Sequence, residues 1–223
     1  MNVKLLSYSQ PTEEFRNLGL ADAQELIAYC ARVSNPSNQF NTETSDKLIR
    51  YLVKHQHWSP LEMVSACCEI VTTRDIARQI LRHRSFSFQE FSQRYADPTA
   101  ELDKAFVLRE ARLQDTKNRQ NSIETDDENL KLRWEEKQRD IINRARHAYK
   151  WAIANGIAKE QARAVLPEGL TESRWYMNGT LRSWIHFIEL RSANGTQKEH
   201  QEVARACAKV IAEIFPMAES LVQ

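Results

Sequence analysis

Glycine is scarce in this sequence, with five glycines among 223 residues. Neither G-x-G-x-x-G nor G-x-x-x-x-G-K-[ST] occurs, which excludes the two common glycine-rich phosphate loops. Cysteine is scarce as well: Cys30, Cys67, Cys68 and Cys207 form no C-x-x-C pair, and adjacent cysteines suit neither a zinc site nor an ordinary disulfide. We therefore expect four reduced thiols that pack as small buried hydrophobic groups.

Long apolar runs and an excess of charge are also missing. No window approaches about eighteen consecutive apolar residues, and the start MNVKLLSYSQPTEEF lacks the parts of a signal peptide. We expect a cytoplasmic protein that does not cross a membrane. The 31 basic and 30 acidic side chains leave a net charge of +1, whereas proteins that bind nucleic acid usually carry a basic excess. Any positive charge that matters has to be local.

The histidines do not form a recognisable metal motif. His55 and His57 have no third ligand at suitable spacing, and H-E-x-x-H is absent, so we expect no metal site. His147 and His200 are predicted to lie on polar helix faces in contact with solvent. The tryptophans are expected to pack in the core or at an interface rather than to stack on a ligand: Trp134, Trp151, Trp175 and Trp184.

Apolar spacing predicts a mostly helical chain with one clear strand. Apolar residues recur at helical spacing over 21–34, 46–56 and 74–84. Residues 63–73, MVSACCEIVTT, are small, β-branched and sulfur-bearing, which is typical of a buried strand. No repeat or linker is visible. The prediction is a single α+β domain over 1–223, mostly helical with a small antiparallel sheet, that assembles through subunit interfaces.

A long helix is predicted in the second half of the chain. Thr125 and Glu128 form a capping box, and Gly156 is the predicted stop. A helix of that length would reach about 45 Å, longer than one small domain, so part of it is expected to pack on another subunit. The polar residues 114–129 are predicted to form a long exposed loop. The apolar stripe of the helix comprises Leu130, Trp134, Ile141, Ala145, Ala148 and Ala152.

The C-terminal helix is predicted by a second capping box. Thr196 and Glu199 have the required spacing, and Pro216 stops the helix. Its inward residues are predicted to be Val203, Cys207, Val210, Ile211 and Ile214.

The stretch RHRSFSFQEFSQRY, residues 82–95, combines three arginines, three serines and four aromatic rings. Guanidinium groups match phosphate oxygens, and so many close together repel one another unless an anion, an acidic side chain or solvent intervenes. Glu90 can neutralise only one of them. Phe86 and Phe88 alternate with serines, which suits an extended segment with one face inward. The stretch indicates a site for an anionic, aromatic ligand such as a nucleotide; the alternative is a helix end whose arginines only meet solvent and the helix dipole.

RHRSFSFQEFSQR resembles the signature of flavin-dependent thymidylate synthases, R-H-R-x-x-S-x-N-x-x-S-x-R. Gln89 stands where the signature has Asn, which keeps the amide but adds a methylene. Other stretches resemble blocks of the family in the same order: ARVS (31–34), KHQHWSPLE (54–62), ARQILRHR (77–84), ARAVLP (162–167) and LRSWIHFIELR (181–191). Region 98–150 is the least covered. The signature positions that match are Arg82, His83, Arg84, Ser87, Ser92 and Arg94.

The resemblance implies an enzyme that methylates dUMP to dTMP. Methylenetetrahydrofolate would be the carbon donor, and FAD, reduced by NADPH, the hydride carrier. It also implies a homotetramer with active sites at subunit interfaces, and a reaction that needs no cysteine nucleophile. We therefore expect nucleotide and folate partners, and neither nucleic acid nor membrane.

The resemblance also assigns candidate site residues. Arg191 is implied to polarise the pyrimidine ring, Ser92 to position and polarise the substrate, and Arg94 with Arg163 to bind its phosphate. His57 matches a position near the flavin and folate face. His186 stands where the family often carries an amide. The implied flavin contacts are Ser59, Glu62, Arg82, His83, Arg84, Glu90, Thr180, Leu181, Arg182 and His186. The implied dUMP contacts are Gln79, Arg82, Glu90, Phe91, Ser92, Gln93, Arg94, Arg163 and Arg191.

Two other functions stay open on the residues. The arginines and phenylalanines of 82–95 suit a protein that grips single-stranded nucleic acid, although the near-zero net charge and a second arginine set (Arg163, Arg182 and Arg191) count against it. A sibling flavin enzyme that releases hydroxymethyl-dUMP is the other alternative. Gln89 and His186, the two departures from the family pattern, are where such a change is expected.

Overall fold

A computed structural model describes all residues, 1–223, and has an α+β architecture. Its strands are β1 (Asn2–Tyr8), β2 (Ser65–Thr73), β3 (Ser87–Glu90), β4 (Arg112–Gln114), β5 (Ser122–Glu124) and β6 (Glu172–Thr180). Its α-helices are α1 (Glu13–Asn17), α2 (Ala23–Ala31), α3 (Ser45–Lys54), α4 (Arg74–Ile80), α5 (Pro98–Glu101), α6 (Glu128–Ala154), α7 (Lys159–Ala162), α8 (Leu181–Ser192) and α9 (Lys198–Ile211). The predicted class, mostly helical with a small antiparallel sheet, is confirmed.

Four strands form the main sheet in the order β1-β2-β6-β3, and every neighbouring pair is antiparallel. The predicted strand over 63–73 is confirmed as β2, whose residues alternate between buried and partly buried positions. Its inward residues Cys68 and Ile70 lie opposite Met177 and Trp175 of β6. This face of the sheet lies in a core cluster of 29 buried residues.

Helices α8 and α9 cover the inner face of the sheet. Trp184 of α8 is fully buried and donates its indole N–H to the carbonyl of Ala66 at 3.1 Å, which ties the helix to β2. Phe187 of α8 and Cys207 of α9 are also fully buried. The prediction that Trp175 and Trp184 pack in the core is confirmed, whereas Trp134 and Trp151 are exposed in the protomer.

The predicted helix over 74–84 is shorter than expected. Helix α4 ends at Ile80, and the N–H of His83 bonds back to the carbonyl of Ile80 at 2.9 Å in a tight turn. The chain then turns because Phe86 enters the core against β6. A Cβ at Gly179 would lie 2.5 Å from the Phe86 ring, so the absence of a side chain at Gly179 allows this approach.

The long helix is confirmed as α6, and Gly156, with a φ of +78°, follows its last turn. The predicted capping box is wrong: Asp127 caps the helix by accepting from the N–H of Leu130 at 2.9 Å. The predicted stripe is displaced around the helix axis, since Gln138, Ile142, Ala145, Tyr149 and Ala152 are buried. Leu130, Trp134 and Ile141 are instead exposed.

Two further predictions about the C-terminal half need correction. The capping box at Thr196 is wrong, because Gln197 precedes α9 without a side-chain cap. Glu199 turns instead to Arg109 and Arg112. The residues predicted to face inward from the C-terminal helix are confirmed as buried or partly buried: Val203, Cys207, Ile211 and Ile214 are buried, and Val210 is partly buried. Helix α9 ends before Pro216, as predicted. Residues 114–129 are polar and largely exposed, but they include the hairpin β4–β5 rather than loop alone.

The cysteines are free and differ in burial. Cys68 and Cys207 are fully buried as predicted, whereas Cys30 and Cys67 are partly exposed, contrary to the expectation of four buried groups. Burial raises the pKa of Cys68 to about 12 and that of Cys207 well above its ordinary value. No helix combines the length and the hydropathy needed to span a membrane.

Candidate functional site

The turn 81–86 and the start of α8 lie side by side at one end of the sheet. Thr180 is the last residue of β6 and caps α8, with its hydroxyl accepting from the N–H of Ser183 at 3.4 Å. The Ser183 hydroxyl donates to the carbonyl of Ser85 at 3.3 Å. The arginine-rich turn is thereby held beside the first turn of a twelve-residue helix, whose dipole favours an anion.

A cavity of about 390 Å³ opens between this turn, α8 and the 3₁₀ turn Ser59–Glu62. Three predicted flavin contacts, Glu62, Arg182 and His186, line it, and Arg182 forms an ion pair with Glu62. Ser59 is exposed at the start of that 3₁₀ turn, after the exposed His57. The wall also includes Ser85, one of the three serines of the 82–95 stretch. Three further wall residues were not singled out from the sequence: Trp58, Ser183 and Glu189.

Leu181 is placed differently from its neighbours in the predicted flavin set. Its side chain is fully buried in the core. Its backbone N–H donates to the carbonyl of Val64 at 2.9 Å. Neither group is free to bind a ligand, so the side chain of Leu181 serves the attachment of α8 to the sheet.

Arg191, in the last turn of α8, contacts His83 of the turn 81–86 directly. The Arg191 Nε donates to His83 Nε2 at 2.8 Å, and the two terminal nitrogens of the guanidinium have no protein acceptor. Burial, followed by the charges of Arg191, His186 and Arg82, lowers the pKa of His83 to about 4. The imidazole is therefore neutral near pH 7, and its Nε2 lone pair orients the guanidinium.

Glu90, the last residue of β3, and Phe91, which follows it, are held by contacts within the protein. Glu90 accepts from Arg74 at 3.3 Å and from the Ser173 hydroxyl at 2.8 Å, and lies 3.9 Å from Arg78. The expectation that Glu90 neutralises an arginine of the 82–94 stretch is wrong, because its partners come from α4. The N–H of Phe91 continues the sheet by donating to the carbonyl of Arg174 at 2.9 Å.

Gln93 has the clearest sign of an unmet hydrogen bond in this segment. The residue is 4% exposed, and its buried side-chain Nε2 has no partner in the protomer. A buried amide donor without a partner is costly, about 1–3 kcal/mol. Gln93 is one of the residues that the resemblance assigns to dUMP, and a bound ligand would satisfy this donor.

Arg94 and Arg163, the predicted phosphate ligands, are not joined to Arg191. Arg94 lies 3.5 Å from Glu160 and beside the ring of Tyr95, and Arg163 begins the 3₁₀ turn Arg163–Val165. No hydrogen bond or ion pair connects Arg94 or Arg163 with Arg191. The predicted dUMP contacts therefore include two groups without a direct hydrogen bond or ion pair between them, one with Arg191 and Gln79 and one with Ser92 and Arg94.

The positive charge of the turn is not compensated by acidic side chains. Arg82 and Arg84 are exposed, and neither has a carboxylate within 4.0 Å. Gln89 is exposed on β3, so its additional methylene meets no packing constraint. The uncompensated guanidinium groups lie beside a mostly polar cavity with Trp58 in its wall and beside a helix N-terminus, an arrangement suited to an anionic ligand.

Comparison with known proteins identifies the family. The profile of the family described as "Thymidylate synthase complementing protein" matches residues 18–217. The chain is 46% identical over 216 residues to the probable flavin-dependent thymidylate synthase of Paramecium bursaria Chlorella virus 1, covering 97% of this chain and 96% of the relative. It has the same identity and coverage to the flavin-dependent thymidylate synthase of Synechocystis. The chain belongs to the flavin-dependent thymidylate synthase family.

A solved structure agrees with this assignment. The crystal structure of a UMP/dUMP methylase, PolB from Streptomyces cacaoi, bound with 5-Br dUMP, superposes with a TM-score of 0.78 at 26% identity. The match covers 99% of this chain and 93% of that chain. The shared fold therefore includes all the elements that carry the cavity and the arginine turn.

Several residues at the site were not predicted from the sequence. Trp58 lies inside the block KHQHWSPLE, which resembles the family, so the resemblance could have indicated it. Arg74 and Ser173 hold Glu90, but nothing in the local sequence links β6 to β3. His200 was predicted to be exposed and is fully buried, because α9 turns it toward Phe187.

Proposed function

We propose that this protein is an enzyme that methylates dUMP to dTMP, with methylenetetrahydrofolate as carbon donor and FAD, reduced by NADPH, as hydride carrier. The observation that carries the proposal is the uncompensated cationic turn 82–84, which lies against Arg191 and the cavity at the start of α8. Family membership, and the names of relatives at 46% identity, support the same reaction.

The residues around the cavity fit a flavin. Arg82 and Arg84 have no acidic partner, and the positive end of the α8 dipole favours a pyrophosphate. Trp58 supplies a ring face, and Arg182 supplies a further cation. We propose that Ser59, Glu62, Thr180 and His186 complete the flavin site. The flavin supplies the electrons that convert the transferred one-carbon unit to a methyl group.

We propose that Arg191 acts on the pyrimidine ring of dUMP. Its Nε is held by His83 at 2.8 Å, so the remaining N–H donors are fixed in direction and free of protein acceptors. A guanidinium in that position stabilises the negative charge that develops on the ring when C5 attacks the one-carbon unit. A preorganised donor of this kind lowers the reaction barrier by about 3 kcal/mol.

We propose that the second group of residues binds the nucleotide phosphate. Arg94 and Arg163 supply the charge, the buried Gln93 supplies an amide donor that lacks a partner, and Ser92 positions the substrate. Ser92 accepts a bond from the N–H of Arg94 at 3.4 Å, and no histidine or carboxylate contacts its hydroxyl to activate it. Ser92 therefore serves binding and polarisation rather than nucleophilic attack.

We propose that a second copy of the chain completes each site and that the assembly is a homotetramer. No direct hydrogen bond or ion pair joins the two groups of predicted dUMP contacts within a protomer. The 27-residue helix α6 leaves Leu130, Trp134 and Ile141 exposed on one of its faces. An apolar surface of this kind is suited to a subunit interface, as expected for the single domain formed by residues 1–223. The free thiols fit a cytoplasmic enzyme.

Binding measurements test this site directly. The purified protein should show a flavin absorbance spectrum, or acquire one when FAD is added. Arg84→Gln should weaken FAD binding at least about tenfold, since a charge-assisted contact contributes about 1.5–3 kcal/mol. Arg50→Gln, which removes an exposed arginine that pairs with Asp46 and does not line the cavity, is the matched control. A protein that takes up no FAD would overturn the proposal.

A further inference from the structure

His200 is a buried histidine that the proposed reaction does not use. It lies in the first turn of α9 and is fully inaccessible to solvent. Its ring packs 5.9 Å from the ring of Phe187, which in turn meets His83 edge-on at 5.2 Å. Its Nδ1 lies 3.2 Å from Oε1 of Gln79. Gln79 belongs to the group of residues proposed to bind dUMP.

The direction of every hydrogen bond in this network is fixed from one end. Glu199 is held by Arg109 at 3.2 Å and by Arg112, so it is an ionised carboxylate that only accepts. Gln197 must therefore turn its Nε2 toward Glu199, at 2.9 Å, and its Oε1 toward Gln79. Gln79 must then donate from Nε2 to Gln197, at 2.7 Å, which leaves its Oε1 facing His200.

The last link determines the tautomer of His200. Since Gln79 Oε1 can only accept, the Nδ1 of His200 must carry the hydrogen. Its Nε2 then carries only a lone pair, and that atom is buried without a partner in the protein. An unpaired lone pair is better tolerated in a buried site than an unpaired N–H.

We propose that His200 is a positioning residue for dUMP binding: as the Nδ1–H tautomer, it fixes the side-chain amide of Gln79 in the orientation that the substrate requires. This inference rests on the proposed function. With Oε1 engaged by His200 and one hydrogen of Nε2 engaged by Gln197, Gln79 has one hydrogen and one lone pair left, both in fixed directions. Without His200, the bond to Gln197 still excludes a flip of the amide, but the amide loses its second anchor and can rotate about the remaining hydrogen bond, so its free hydrogen and lone pair no longer have fixed directions.

Two substitutions separate this role from simple packing. His200→Asn places an amide nitrogen near the position of Nδ1 and can still donate to Gln79, but it leaves space where the rest of the ring was. His200→Leu fills the apolar surroundings well and cannot donate. If His200 only fills space, the Leu variant should bind dUMP at least as tightly as the Asn variant. If His200 positions Gln79, the Asn variant should bind dUMP more tightly than the Leu variant.

The test is dUMP affinity of the flavin-loaded enzyme by calorimetry, alongside ¹⁵N solid-state NMR of protein labelled at histidine. We expect His200→Leu to weaken dUMP binding about tenfold, because it removes the hydrogen bond that orients Gln79. His200→Asn keeps a donor and should weaken binding by less than about threefold. The Leu effect should vanish when Gln79 is also changed to Leu. Wild-type affinity in His200→Leu would overturn the inference.

The NMR spectrum reads the tautomer without substrate or turnover. The signal absent from His200→Asn or from His200→Leu should report a protonated Nδ1 and a bare Nε2, and one folded variant is enough to assign it. A protonated Nε2 would overturn the inference. A wild-type protein that binds flavin but no dUMP would overturn the substrate half of the proposed function. The positioning role would fall with it, while the tautomer result would still stand on its own.

Discussion

The stability of this protein should fall as the pH drops below neutrality, because His200 is buried in its neutral form. Burial, followed by the charges of Arg191 and His83, lowers the pKa of His200 from 6.5 to about 3. The unfolded chain therefore takes up a proton before the folded chain does. The stability associated with the neutral form is complete above the unfolded pKa and is lost as the pH falls toward the folded value.

The size of this effect follows from linkage. Each pH unit in that window changes the free energy of unfolding by about 1.36 kcal/mol per histidine. Between neutrality and about pH 5, His200 alone should therefore remove about 2 kcal/mol. His83, whose pKa is lowered to about 4, acts in the same direction. Because it is partly exposed, its contribution is discounted to about 1 kcal/mol.

Urea unfolding of wild type and His200→Asn, at about pH 7 and about pH 5 and at one protein concentration, measures this directly. The variant should be less stable at neutrality because the smaller side chain leaves a cavity, but it should lose about 2 kcal/mol less than wild type on acidification. His147→Asn, at an exposed position of α6, is the control for loss of a histidine. Equal pH dependence in wild type and His200→Asn would refute the reasoning.

Two further substitutions test the packing and the charges that hold the site. Gly179→Ala should destabilise the protein by about 1–3 kcal/mol and weaken FAD binding, because the new methyl group collides with Phe86. Gly169→Ala is the control, since the nearest atom to its methyl group would be 4.0 Å away. Thermal unfolding and flavin titration should show much smaller changes in the control. Glu90→Gln should cost about 2 kcal/mol in urea unfolding, because the buried Arg74 then keeps only the more exposed Glu168, at 3.7 Å, as a counter-ion. Asp46→Asn, in an exposed pair, should cost less than about 1 kcal/mol. Equal costs for the two carboxylates would contradict the assigned burial.

Local signals in the sequence were sufficient for the elements with strong patterns. The strand β2 and the helix α6 were predicted because their residue types and periodicity do not depend on distant contacts. The inward face of α6 was not, since Gln138 is buried by its bond to the backbone of Arg109, a contact between remote segments. The capping box of α6 failed because the nearby Asp127 caps the helix, and that of α9 failed because Glu199 pairs with two arginines from a remote segment.

The candidate site was predictable to the extent that its residues lie in one short motif. Arg82, His83 and Arg84 share a turn, and the turn is where the structure places the uncompensated charge. The partner of Glu90 was not predictable, because Arg74 reaches it only through the antiparallel packing of β3 on β6. His200 was predicted to be exposed because the flanking residues are polar, yet tertiary packing of α9 on α8 buries it.

The most direct test of the central claim is the mass of the product. Enzyme loaded with FAD should be given NADPH, methylenetetrahydrofolate and dUMP, with UMP as a parallel substrate and Arg191→Lys as the variant. The account predicts dTMP from dUMP, with a turnover rate reduced at least about a hundredfold in Arg191→Lys, as expected when a preorganised donor to the developing charge is displaced. Release of hydroxymethyl-dUMP, or no conversion of dUMP by a flavin-loaded enzyme, would contradict it.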